Sequence, residues 1–281
     1  MPEKLVHDSY GKSDIRVTKV IRRRSRHDLL EMSVDVALQG QFQQTYLTGD
    51  NRDVVATDSM KNTVYALAGE HPLESIESFA LDLVAHFLKK YRQVTAASAT
   101  IRQQNWQRIS HGGKLHPHAF TSGGGELRHC NATASANNHR IVGGLSDLMV
   151  LKTTDSAFAG FVRDEFTTLK ETDDRIFATA VSATWTYSRT RVDYNRAFNA
   201  IRDALLETFA QHKSLSVQQT LYAMGRAALK RCSAIESIDI TMPNKHRILV
   251  NLEPFGVKNE NEVFVWTDEP YGEIYGSIAR S

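Results

Sequence analysis

The order in which hydrophobic periods follow one another constrains this fold more than any single residue does. Two alternating runs, Ile15–Ile21 and Leu29–Phe42, open the chain, and a period of two marks half-buried strands. A helix is expected from about Ser59. A second follows the His71-Pro72 break, with Ile76, Phe79, Ala80, Leu83, Val84, Phe87, Leu88 and Tyr91 on one face. Glu74 and Glu77 stand near its start and Lys89 and Lys90 near its end, as the helix dipole prefers. Val94–Ile109 then reads as a long strand. The second half repeats the order. Leu148–Thr154 and Arg175–Tyr187 read as strands, and Asp193 caps a helix carrying Tyr194, Ala197, Phe198, Ile201, Leu205 and Phe209. A further helix starts at Ser216, and strands return at Ile235–Met242 and Ile248–Leu252. The repeat is one of element order, not of letters. Long antiparallel strands with helices grouped between them predict an α+β fold of two units, residues 1–142 and 143–281. The glycine-rich stretch Ser110–Gly125 is expected to be a loop.

Composition narrows the function classes. Apolar residues make up 41% of 281, enough for a sizeable core. A formal net charge of +2 gives no broad field for nucleic acid and no polybasic membrane patch, so neither partner is expected. The cluster Arg22-Arg23-Arg24 with Arg26 falls between two strands and reads as a solvated hairpin turn. Cys130 and Cys232 form no CxxC knuckle and no disulfide framework, which suits a reducing compartment. The N-terminus has no apolar signal core, and Ala279-Arg280-Ser281 is no peroxisomal address. A cytoplasmic protein is the expectation.

Several short segments carry chemistry. In Val54–Ala68 a short apolar strand is expected to end at Thr57-Asp58. Asp58 would cap the following helix, with the Thr57 hydroxyl free and Lys61 nearby. Ser216-Val217-Gln218-Gln219 is a capping box, which leaves the first-turn N–H groups at Val217 and Gln218 open to an anion or a carbonyl oxygen. Arg175 offers a planar two-pronged donor, and Phe158 a face on which a flat heterocycle could stack. Asn244 and His246, one residue apart in extended chain, share a side and could hold a small polar molecule. Each also has a plain structural reading: a cap, a surface ion pair, a core ring, a turn. His116-Pro117-His118 with His111 and His129 raises a metal site, but no carboxylate or cysteine pattern completes it. Neither a GxGxxG after a strand nor a P-loop is present.

Six short segments occur together and in order. They are YGK at Tyr10–Lys12, VVATDSMKNTVYA at Val54–Ala66, SAFAGFVRDEFTTLKET at Ser156–Thr172, DRI at Asp174–Ile176, SVQQTLY at Ser216–Tyr222 and MPNKH at Met242–His246. Jointly they resemble the uricase (urate oxidase) family and span nearly the whole chain. Phe166 stands where the family commonly has Tyr, and the stretch after Pro270-Tyr271-Gly272 is short.

The resemblance implies a tunnelling fold. Each chain would carry two antiparallel-sheet units with paired helices, two chains would close a β-barrel, and two barrels would stack into a homotetramer. It implies oxidation of urate by O₂ and water to 5-hydroxyisourate and hydrogen peroxide, with no cofactor and no metal. By the same resemblance Arg175 and Gln218 clamp urate, Phe158 stacks on it, Leu169 packs against it and Val217 offers a backbone N–H. Thr57 and Asp58 would come from a neighbouring chain, Asn244 would position oxygen or water, and Lys12, Thr57 and His246 would relay protons. Two other readings remain open: a zinc-dependent pterin-type enzyme of the same fold using His111, His116 or His118, and a non-catalytic purine-binding protein.

Overall fold

A computed structural model describes residues 3–136 and 138–281 of the chain. They separate into two compact units. One contains the residues up to Gly144 with Thr186–Ala197, and the other Leu145–Trp185 with Phe198–Ser281.

In the first unit the strands β1 (Tyr10–Arg22), β2 (His27–Gly40), β3 (Val94–His111), β4 (Lys114–Ser135) and β5 (Asn138–Lys152, which runs on into the second unit) are hydrogen-bonded in chain order. β1–β2, β2–β3 and β3–β4 are antiparallel. The basic cluster lies at the β1–β2 turn, as expected, with Arg23 paired to Asp28 at 2.7 Å. A short helix, α1 (Gln43–Thr48), follows β2 and is too brief to show a hydrophobic period. Helices α2 (Thr57–Glu70) and α3 (Ile76–Lys90) come before β3. Alternation puts Val34, Val36 and Leu38 of β2 and Ala97, Ala99 and Ile101 of β3 on the buried side. Met60 and Val64 of α2 and Phe79, Leu83 and Phe87 of α3 are buried as well. The expected stripe of α3 is thus its core face, and Ser75 caps it by accepting the Ser78 N–H at 3.1 Å.

Two expectations fail here, each for a local reason. Ser110–Gly125 is not a loop but the end of a long hairpin. Gly112 and Gly113 form a two-residue turn with φ of +58° and +74°, the left-handed pair that a tight hairpin needs. The Gly123–Gly125 run is part of β4, where the β3 register slips between Gln104 and Trp106. The strand expected before Thr57 is also absent: Val54–Ala56 is irregular and α2 begins at Thr57 itself.

The second unit continues the order β5, β6 (Phe177–Tyr187), β7 (Ile235–Pro243), β10 (Glu273–Ala279), with a separate antiparallel pair, β8 (His246–Leu249) and β9 (Phe264–Thr267). β6 begins two residues later than the sequence suggested, so Arg175 precedes the strand rather than opening it. β6 is buried almost throughout, with Trp185 fully covered. Helix α4 (Tyr194–Gln211) starts in the first unit and runs into the second. The Asp193 carboxylate accepts the Arg196 N–H at 3.0 Å, so it caps α4 as expected. Helix α5 (Val217–Arg231) buries Leu221, Met224, Ala228 and Leu229. Among the described residues no helix is long and apolar enough to cross a membrane.

One buried charge pair ties the first unit together. The Glu77 side chain is fully buried, and Arg128 of β4 grips it with two bonds of 3.2 and 2.6 Å. Arg128 also donates to Asn195, which in turn donates to the Glu74 carbonyl at 2.6 Å. Removing one member strands the other charge away from water. Arg128→Met should therefore lower the unfolding free energy by about 3–5 kcal/mol. Chemical denaturation checks this, and an unchanged midpoint would contradict it.

Candidate active site

In the first unit the site is built on β1 and the start of α2. Two β1 side chains fix α2. The Tyr10 hydroxyl accepts the Val55 N–H at 2.8 Å, just before the helix begins, and the Tyr10 ring sits edge-on to Phe42 with centroids 4.8 Å apart. At the far end the Lys19 ammonium donates to the carbonyls of Ala68 at 2.6 Å and His71 at 2.5 Å. It thus takes up carbonyls that the helix end leaves open and adds a favourable charge to the dipole. The helix N-terminus is thereby held in place over the strand that carries Lys12.

The YGK motif now has a physical content. Tyr10 docks the approach to α2. Gly11 lies so close to β2 that an added Cβ would sit 1.9 Å from the Val36 carbonyl oxygen, so only glycine fits. Lys12 is half-buried and pairs with Val36 across the ladder. Thr57 is the first residue of α2 and Asp58 the second. Asp58 does not cap the helix: Ala56 occupies that position, with no side-chain bond. The Asp58 carboxylate instead accepts from Lys61 at 2.5 Å and from Asn62 at 3.0 Å. The Lys61 hydrogen bond and charge hold its carboxyl below the usual range, and the Lys12 charge adds to this. Lys12, Thr57 and Asp58 are thus neighbours within one unit, and both Thr57 and Asp58 are exposed.

In the second unit Phe158 and Arg175 come together. The guanidinium carbon lies 5.4 Å from the Phe158 ring centre. Phe158 is held by a reciprocal backbone pair with Thr172, at 2.8 and 3.1 Å, which folds the loop back toward Arg175. Phe158 is half-buried, and Phe161 stacks on it with centroids 5.0 Å apart. Arg175 is half-buried too, and its Nε finds no partner among the described residues. Burial pushes its ionisation downward, although a guanidinium stays charged at neutral pH. Leu169 is exposed on the same loop.

The same loop reaches the start of α5. Ser156 bridges Ser214, and the Ala157 N–H donates to the Ser214 carbonyl at 2.7 Å. The expected capping box forms with one change. Ser216 Oγ accepts the Gln219 N–H at 3.1 Å, but Gln219 Oε1 accepts the N–H of Leu215, not of Ser216, at 3.0 Å. Val217 and Gln218 occupy the first turn, whose N–H groups have no intrahelical acceptor. The Val217 side chain is buried and the Gln218 side chain is exposed. Asn244 forms a bridge with Thr179, and the Lys245 N–H donates to the Ala178 carbonyl at 2.9 Å. These contacts bring Asn244 beside the β6 end that follows Arg175. His246, half-buried, begins β8 opposite Thr267.

Two histidines of the hairpin lie against one another. His116 and His118 meet edge to face at 4.6 Å, and the His116 Nδ1 accepts the His118 N–H at 3.3 Å. Among the described residues no three His, Cys, Asp or Glu side chains are arranged to hold a metal ion.

The family model described as Uricase matches residues 8–133 and 141–275. The chain is similar to the uricase of Arthrobacter globiformis, 43% identical over 98% of this chain and 90% of that one. It is 39% identical to the Danio rerio uricase over 98% of this chain and 94% of that one. The crystal structure of the Arthrobacter globiformis uricase superposes with a TM-score of 0.94 at 42% identity, covering 100% of this chain and 96% of that one. The fold is accordingly the tunnelling fold inferred from the motifs. The six ordered segments, the two clusters they build and these full-length matches agree that the chain belongs to the uricase family.

Proposed function

We propose that the protein oxidises urate with O₂ and water to 5-hydroxyisourate and hydrogen peroxide, without metal or organic cofactor. The observation that carries this reading is Arg175: a desolvated guanidinium, one N–H without a partner among the described residues, set against an aromatic face. A buried donor left unpaired costs about 1–3 kcal/mol. A flat anion that stacks on Phe158 would recover that cost. Urate is flat, anionic and edged with carbonyl and N–H groups. Arg175 and the Gln218 amide would read one edge, the Val217 N–H would add a donor, and Leu169 would close over the ring. Asn244 would position O₂ or the attacking water.

Reaction with O₂ needs an electron-rich substrate, and loss of a second proton from urate supplies one. Lys12 would take that proton through Thr57, with His246 completing the route to solvent. Two electrons then pass from the purine to O₂, which leaves as hydrogen peroxide after gaining two protons. Water adds at the oxidised carbon to give 5-hydroxyisourate. Asp58 would steady the positive end of the relay. The zinc-dependent pterin reading is not favoured, since the family model and the full-length relatives are uricases. A cytoplasmic location fits the absence of membrane-crossing helices among the described residues, and the cysteines agree with it.

We further propose that the site is shared between chains of a homotetramer. Thr57, Asp58, Leu169 and Gln218 are exposed in the single chain, which suits groups that meet a partner. Lys12, Thr57 and Asp58 would form one half-site, and Phe158, Arg175, Val217, Gln218, Asn244 and His246 the other.

Three measurements test this reading. Lys12→Met should lower turnover by roughly 10²–10⁴, the range for losing a general base, while binding of a non-oxidisable urate analogue survives. A variant that turns over at the wild-type rate would assign the base elsewhere. Arg175→Lys keeps the charge but loses the fork, and should weaken analogue binding by about 1.5–3 kcal/mol. Unchanged affinity would remove Arg175 from the site. Each of these variants damages a different half-site. Co-expressed Lys12→Met and Arg175→Lys chains should therefore regain activity in mixed tetramers, since some sites would combine two intact halves. At urate concentrations below the weakened affinity of Arg175→Lys, mixed tetramers no more active than the better parent would refute sharing.

A further inference from the structure

β1 breaks its alternation at one place, and that place lies directly beside Lys12. The β1–β2 register runs from Ile15 paired with Val34 to Lys12 paired with Val36, so Ser13 and Asp14 together oppose the single residue Asp35. This is a β-bulge. Its geometry is unusual for a side-chain-bearing residue, because Asp14 has φ of +54°, in the left-handed region. Residues directly opposed in an antiparallel ladder share a face. Ile15 shares the face of Val34, and beyond the bulge Lys12 and Tyr10 share that of Val36 and Leu38, all three β2 residues being buried. Without the extra residue, alternation from Ile15 would put Ser13 and Gly11 on that side and turn Lys12 to the opposite face, away from α2.

The bulge is held by side chains that no catalytic step uses. Asp35 Oδ1 accepts the Asp14 N–H at 2.7 Å, and Ser33 Oγ donates to Asp14 Oδ1 at 2.7 Å. Arg102 of β3 donates to Asp35 Oδ2 at 2.7 Å and so fixes the acceptor. Arg16 holds the remaining Asp14 oxygen at 3.1 Å. Asp14 thus serves as the left-handed corner and as the anchor of its own turn. We infer that Asp35, braced by Arg102, is a positioning residue for the oxidation: it holds the Asp14 bulge that aims Lys12 at Thr57 and the start of α2. This rests on the reading of Lys12 as the base.

The test uses the full-length wild type with Asp35→Ala, Asp35→Asn, Ser33→Ala and Lys12→Met. Urate turnover is read alongside the affinity for a non-oxidisable urate analogue. Asp35→Asn keeps an oxygen that can accept the Asp14 N–H, whereas Asp35→Ala does not. Asp35→Ala should lower kcat by about 10–100-fold, the usual effect of misplacing a reacting group by roughly an ångström, with analogue affinity within about twofold. Asp35→Asn should recover most of that loss. A purely structural role would move kcat and affinity together and would not separate Asn from Ala. Asp35→Ala with wild-type kcat, or with kcat and affinity lost in parallel, overturns the inference. If Asp35→Ala does not fold, Ser33→Ala decides: a lowered kcat at unchanged affinity supports the inference, and wild-type kcat overturns it. Lys12→Met separates the two claims. If it stays active, the base assignment fails; if it is inactive while Asp35→Ala is not, only the positioning role fails.

Discussion

A strand can deliver only every second side chain to a given face, and β1 has to deliver an apolar stripe and a lysine to the same one. It does so by inserting one residue. From Ile15 onward β1 alternates as a half-buried strand should, with Ile15 and Val17 in the core. Before Ile15 the bulge at Ser13 and Asp14 resets the phase, so that Tyr10 and Lys12 lie on the helix side. Tyr10 then docks the residues preceding α2, and Lys19 docks the end of that helix. The geometry of the Lys12, Thr57 and Asp58 cluster follows from where this strand changes phase.

On the proposed reading the two clusters divide the chemistry. The first unit holds an amine, a hydroxyl and a carboxylate, which are groups that move or steady protons. The second holds a guanidinium, an aromatic ring, an open helix turn and an amide, which are groups that read a flat polar molecule. The carboxyl of Asp58 is kept charged by Lys61 first and by Lys12 after it, so the proposed relay would not face a site of purely positive charge. Arg175 has the opposite environment. Burial disfavours its charge and its Nε has no hydrogen-bond partner among the described residues, which makes an anion a natural complement.

Much of this was legible in the letters. Period-two runs located β1 and β2, the stripe from Ile76 to Tyr91 located α3, and Ser216 located the start of α5, because each signal is local. The failures were also local. Gly112-Gly113 resembles a flexible loop in composition, yet two left-handed residues are what a tight hairpin requires. Asp58 resembles a helix cap, but a basic side chain one turn on competes for its carboxylate. α1 is too short to show a period. Motif order put Arg175, Gln218 and Lys12 forward as site residues, but nothing in the letters marked Asp35 or Arg102. Their role lies in a cross-strand register, and Asp35 is 21 residues from the backbone N–H it holds. A polar residue on the open face of a strand looks like ordinary surface until its opposite number is known.

The most direct measurement is the fate of urate in air. Protein stripped of metals by exhaustive chelation, then mixed with urate in oxygenated buffer, should bleach the urate absorbance and release one hydrogen peroxide for each urate consumed. Retained absorbance with bound urate would contradict the account and point to a purine-binding protein. Activity that disappears on chelation and returns only with added metal would contradict it equally.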